Sequence, residues 1–111
     1  MNYQDARLDE NSALRCPQCD EGYLHQRTVT IFNPAVDGKN TEVTCVQANT
    51  DTSTVLITEE TTSNPSRDRN GMLIEFECEY CSWDEGGEAL PDKLILAVYQ
   101  HKGVTFVQWV D

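Results

Sequence analysis

Residues 72–81 read MLIEFECEYC, and residues 16–19 read CPQC. The longer stretch carries two signals at once. Ile74 and Phe76 alternate with Glu75 and Glu77, the two-residue period of a strand with one face buried. That strand runs straight into Cys78-Glu79-Tyr80-Cys81, a Cys-x-x-Cys turn. Such a turn lets two thiolates face one point. With Cys16 and Cys19 it completes a tetrahedral four-thiolate shell. Cys19 and Cys78 are 59 positions apart, beyond the about 15–20 residues of the common ribbon spacing. A sheet must therefore return the second turn to the first.

The expected ion is zinc, in a structural role, with iron as the alternative for the same ligands. A closed shell of four thiolates leaves no open position, so the metal is expected to fold the chain and not to catalyse. Disulfide use fits an oxidising compartment and an even count, and this chain has five cysteines. A thioredoxin-like pair needs a βαβ pattern, and none is visible. Cys45 lies in TEVTCVQ, a β-patterned stretch, and reads as a small buried apolar residue.

The remaining chain supplies strands and turns. YLHQRTVTIF (23–32) reads as a strand opened by Gly22 and closed by Asn33-Pro34. TEVTCVQA (41–48) and STVLITEE (53–60), rich in Thr and Val, read as a hairpin. LILAVYQ (94–100) and VTFVQWV (104–110) flank a tight turn at HKG. With Lys102-Gly103 as a two-residue loop, Tyr99 falls opposite Phe106. Ile95, Ala97, Tyr99 and Phe106 then share one face, and Leu94, Leu96, Val98, Val107 and Trp109 share the other. Both faces are apolar, so this hairpin is expected to be covered on both sides. The fold class is mainly β, an antiparallel sheet or small sandwich of zinc-ribbon-like kind with little helix. Residues 1–15 are expected as a tail or a short helix over DARLDENSAL (5–14), and residues 16–111 as one zinc-stapled β domain. The segments 33–40 and 62–71 are expected as loops.

A length of 111 residues bounds one domain with a modest core. Nineteen Asp and Glu against eight Lys and Arg give a net charge of −11, which disfavours binding a nucleic-acid backbone with the whole surface. No run of about 18 apolar residues exists to span a membrane, and the first residues lack a secretory pattern. A cytoplasmic location is the expectation.

Residues 75–92 concentrate the acids. Glu75, Glu77, Glu79, Asp84, Glu85, Glu88 and Asp92 fall there without a single Lys or Arg. Glutamates two apart on a strand sit about 6.6–6.8 Å apart along it, a spacing that imitates phosphates or docks on a basic groove. An ordinary solvated strand face is the plainer reading. Tyr80 and Trp83, at the second turn, are expected to pack around the site, and would anchor a protein partner if exposed. The alternative is a nucleic-acid-binding ribbon using Arg27, Arg67 and Arg69, with Lys39 nearby. His25 and His101 are the only histidines, and nothing in the pattern builds a pocket around them or around paired carboxylates. An enzyme is not expected.

CPQC followed by YLH, then NPSRDRNGMLIEFECEYC and QHKGVTFVQW, resembles a family of small uncharacterised zinc-ribbon-like proteins of bacteria and their phages. The resemblance covers most of the chain from Cys16 onward. It implies metal ligation by Cys16, Cys19, Cys78 and Cys81. It also singles out His25, Asn64, Pro65, Ser66, Gln100, His101, Lys102 and Gly103. The 41–60 hairpin lies outside the family pattern. The expectation that follows is an acidic protein that acts by contact with a basic protein surface, as a phage-type inhibitor of a host nucleic-acid-binding protein would.

Overall fold

The structure is a computed structural model that describes residues 2–34, 41–48, 53–59, 64–66, 69–80 and 94–110. Seven strands make one antiparallel sheet: β1 (Tyr3–Asp5), β2 (Leu24–Pro34), β3 (Thr41–Ala48), β4 (Ser53–Glu59), β5 (Gly71–Cys78), β6 (Leu94–His101) and β7 (Val104–Val110). Their order across the sheet is β1-β7-β6-β5-β2-β3-β4. No helix occurs among the described residues.

The expected hairpins are present. Tyr99 pairs with Phe106 and His101 with Val104. Lys102 and Gly103 both have positive φ, 52° and 80°, which is what a two-residue turn between twisted strands requires. β3 and β4 pair from Glu42–Glu59 to Ala48–Ser53. Two points differ from expectation. Asn33 and Pro34 do not close β2 but extend it, pairing with Glu42 and Thr41. The sandwich is also not what forms, since every described strand belongs to a single sheet.

Paired residues share a face, so the register sorts the side chains. Reading from β4 to β7, one row holds Val55, Val46, Val29, Ile74, Leu96 and Trp109. The next row on that face holds Ile57, Thr44, Ile31, Met72, Val98 and Val107. The N-terminal segment packs against the metal-turn end of this face. The main core there is Cys16, Cys78, Leu94, Leu96 and Trp109, with Ala6, Leu14, Cys19, Leu24, Ile74 and Phe76 against it. Toward β4 the same face opens, and Ile31, Val55 and Ile57 are exposed.

Residues 5–14 do not form a helix. Tyr3–Asp5 instead pairs with β7. Leu8 bridges Leu14 across a tight loop. Asp9 explains the choice. Its Oδ1 accepts the backbone N–H of Asn11 at 2.8 Å and of Ala13 at 2.9 Å, and Ser12 takes φ 66°. An aspartate that ties down its own following backbone competes with helix formation.

On the opposite face, Phe32 and Val43 are buried. Residues 64–66 close over Gly71. A Cβ at Gly71 would stand 2.4 Å from Asn64 Oδ1, 3.0 Å from Ser66 Oγ and 3.2 Å from Pro65 Cδ, so only glycine fits. Ser66 is buried. Its hydroxyl donates to Asn70 O at 2.7 Å and accepts the Gln100 N–H at 2.9 Å. This pin ties the 64–70 loop to the end of β6.

Candidate metal centre

The cysteine turns meet at one end of the sheet. Cys16 and Cys19 come from the loop before β2, and Cys78 is the last residue of β5, paired with Leu24 at the start of β2. The loop is held by its own backbone. Asp20 N–H donates to Cys16 O at 2.9 Å, and Cys16 N–H to Glu21 O at 2.8 Å. Asp20 at φ 64° turns the chain back toward the strand. Glu79 N–H donates to Tyr23 O at 3.0 Å, clamping the second turn to the first.

The sulfurs of Cys16, Cys19 and Cys78 all lie within 4.8 Å of one another, and Cys19 Sγ and Cys78 Sγ are 3.5 Å apart. A tetrahedral ion with metal–sulfur bonds of about 2.3 Å keeps its sulfurs about 3.8 Å apart. The donor set and its spacing therefore fit a thiolate-bound metal. Cys16 and Cys78 are buried and Cys19 is half-buried, so the cluster belongs to the core. Cys81, the fourth expected ligand, lies outside the described residues. Cys45 stands apart on β3, half-buried, with the Thr30 hydroxyl 3.8 Å from its sulfur.

Glu75 and Glu77 share the face opposite the main core, with Glu75 half-buried and Glu77 exposed. Their surroundings are not uniformly acidic. Arg27 is the extra residue of a bulge in β2, and its Nε donates to Glu77 Oε2 at 2.8 Å. His25 Nε2 lies 2.7 Å from Glu79 Oε1. Asp84, Glu85, Glu88 and Asp92 lie outside the described residues, as do Arg67, Lys39 and Trp83. Arg69 is exposed in the loop before Gly71, whereas Arg27 lies in β2 opposite Glu75 and Phe76. Arg27 and Phe32, the partner of Gly71, are five residues apart along β2, about 17 Å. His25 and His101 likewise sit at opposite ends of the sheet, and both are exposed.

Tyr80 is exposed, and the structure gives it a partner that sequence reasoning missed. Tyr23 and Tyr80 are 54% and 58% exposed, with ring centroids 5.5 Å apart and tilted by 53°. The Tyr80 phenol is held above its ordinary pKa by partial desolvation, then by Tyr23, Glu21, Glu79 and Cys19 around it. The one hint in the sequence is that Tyr23 follows the first turn as Tyr80 sits within the second. A cavity of about 190 Å³ also opens beside Cys16, lined by Arg7, Arg15, Asp20 and Trp109. Its guanidinium groups are already engaged: Arg15 Nη1 donates to Asp20 O at 2.8 Å, and Arg7 lies 3.8 Å from Asp20 Oδ1.

Among the described residues, no helix is long and apolar enough to cross a membrane. No family model matches the chain, no curated protein matches it, and no solved structure matches it.

Proposed function

We propose that this chain is a non-enzymatic, zinc-stapled acidic module that works by contact with a protein bearing a basic surface. Zinc, held by Cys16, Cys19, Cys78 and Cys81, would supply a rigid closed junction between the N-terminal loop and β5. The partner class that suits the acids is a protein that binds nucleic acid, with the carboxylates occupying its phosphate-binding groove.

The observation that carries the reading is the exposed Tyr23–Tyr80 pair on the metal-turn end of the sheet. Tyrosine is enriched among the few residues that dominate binding at protein interfaces. Here two are presented together, beside Glu21 and Glu79, on the segments that carry the cysteine cluster. The net charge of −11 selects a basic partner over an acidic one. Among the described residues, the nucleic-acid alternative draws no support from its arginines, because Arg27 is engaged by Glu77 and Arg69 lies apart from it in the loop before Gly71.

The test is capture of partners from a cell lysate by the metal-loaded protein, with and without nuclease. The expected result is a discrete protein that survives nuclease, is displaced by added DNA, and is lost with Tyr23→Ala/Tyr80→Ala. Retention of that protein by both the tyrosine variant and a Glu75/Glu77/Glu79 charge reversal, each still folded, would reject this reading. A nuclease-sensitive, heterogeneous eluate would reject it in favour of nucleic acid.

A further inference from the structure

The two edges of the sheet are unlike. β1 is three residues long and carries Asp5, whose carboxylate accepts the Gln108 amide at 2.8 Å. β4 is seven residues long and, among the described residues, pairs only with β3. Every second residue of such a strand directs its N–H and C=O outward, unpaired. Proteins usually blunt an edge of this kind with Lys, Pro or a bulge. Residues 53–58, STVLIT, contain no charge, no Pro and no Gly. The β3–β4 register is unbroken. Val55, Leu56 and Ile57 are 60%, 59% and 63% exposed, so the edge is apolar on both faces.

We propose that β4 is a homodimer interface, in which two copies pair antiparallel about a two-fold axis at Leu56. The strand is self-complementary in that register. Leu56 meets Leu56 of the second copy, Val55 meets Ile57, Thr54 meets Thr58, and Ser53 meets Glu59. β-Branched and apolar cross-strand pairs of this kind are favourable. The open apolar rows of the sheet then continue from one copy into the next through Val55 and Ile57.

Charge selects a second copy over a basic protein at this edge. Two chains of net charge −11 repel each other least where they meet on a surface that carries no charge. β4 offers that place, and it offers a basic partner no carboxylate until Glu59. In the two-fold register the two Glu59 positions fall at opposite ends of the ladder, about 20 Å apart, well beyond the about 8 Å screening length at physiological salt. An isologous pair uses both β4 edges and, among the described strands, leaves only the short β1 edges, so assembly closes at two.

The experiment is sedimentation equilibrium of the metal-loaded protein from about 1 µM to about 1 mM, the range suited to a small interface. The expected result is a monomer–dimer equilibrium that Leu56→Lys weakens at least about tenfold by setting two cations on the axis. Leu8→Lys, at another exposed leucine away from β4, should leave the equilibrium unchanged. A monomer throughout, a dimer indifferent to Leu56→Lys, or growth beyond two copies would each overturn the proposal. If Leu56→Lys does not fold, amide exchange of the unmodified protein decides. Protection of Val55–Ile57 that rises with concentration supports the dimer, and concentration-independent exchange overturns it.

Discussion

Cys19 Sγ and Cys78 Sγ lie 3.5 Å apart although 59 positions separate them in the chain. The contact adds to the Glu79–Tyr23 backbone bond between the same two segments, and it borders the main core, which includes Cys78 and against which Cys19 packs. With bound metal this contact is a cross-link, and without it the contact sets like groups together.

Metal removal is therefore expected to act on the whole fold. Structural zinc contributes on the order of 10 kcal/mol in small domains, more than the total stability of many of them. Chelation should abolish or sharply lower the thermal transition seen by circular dichroism. Cobalt loading should give the strong visible bands of thiolate coordination. Cys16→Ser and Cys78→Ser should each remove those bands, whereas Cys45→Ser should leave them intact and shift stability by about 1 kcal/mol.

Gly71→Ala is expected to destabilise by about 1–3 kcal/mol, because its new methyl would stand 2.4 Å from Asn64 Oδ1 beneath the closed loop. Ser66→Ala should cost about the same, since it strips the Gln100 N–H of its acceptor. Urea midpoints measure both. If the 64–70 loop and β6 are coupled through this pin, the double variant will lose less than the sum of the two.

Asp9 gives a pH dependence whose sign is fixed. Hydrogen bonds from the Ala13 and Asn11 backbone, with Arg15 nearby, hold its carboxyl below the usual carboxylate range. A lowered folded pKa means its stabilising effect is complete above about pH 4 and is lost as pH falls through the lowered value. A carboxyl-carbon NMR titration should place Asp9 below the exposed aspartates. Asp9→Asn should flatten that part of the acid limb, and an ordinary Asp9 titration would refute the assignment.

The Arg27–Glu77 pair should contribute little to stability despite its 2.8 Å contact, as both side chains are about half exposed. Arg27→Ala is expected to cost no more than about 1 kcal/mol, less still at high salt. A larger loss in thermal denaturation would mean that the β2 bulge itself depends on Arg27.

The parts of the fold that could be read in advance are those with local causes. The β6–β7 register follows from Lys102-Gly103, since a two-residue turn leaves one pairing. The β3–β4 hairpin follows from two Thr- and Val-rich runs, and the metal cluster from two Cys-x-x-Cys spacings. What escaped is non-local. Nothing near β2 announces that its far neighbour is β5, and three residues are too few for β1 to show a period. The 5–14 segment misled because the hydrogen bonds by which the Asp9 side chain bends the backbone exist only once it is folded. Tyr23 escaped for the same reason, as its partner Tyr80 arrives with β5.

The pairing of Tyr3 with Val110 has a kinetic consequence. Its ladder closes over almost the whole chain, with Asp5 and Gln108 103 positions apart. Contacts of that span carry a large loop-closure cost until the intervening strands have condensed. The β6–β7 and β3–β4 hairpins can nucleate alone. The β2–β5 ladder must wait for a long loop to close, a delay that an ion bridging Cys19 and Cys78 would shorten. β1 should dock last and fray first, so early opening runs from that edge inward and reaches the metal cluster late.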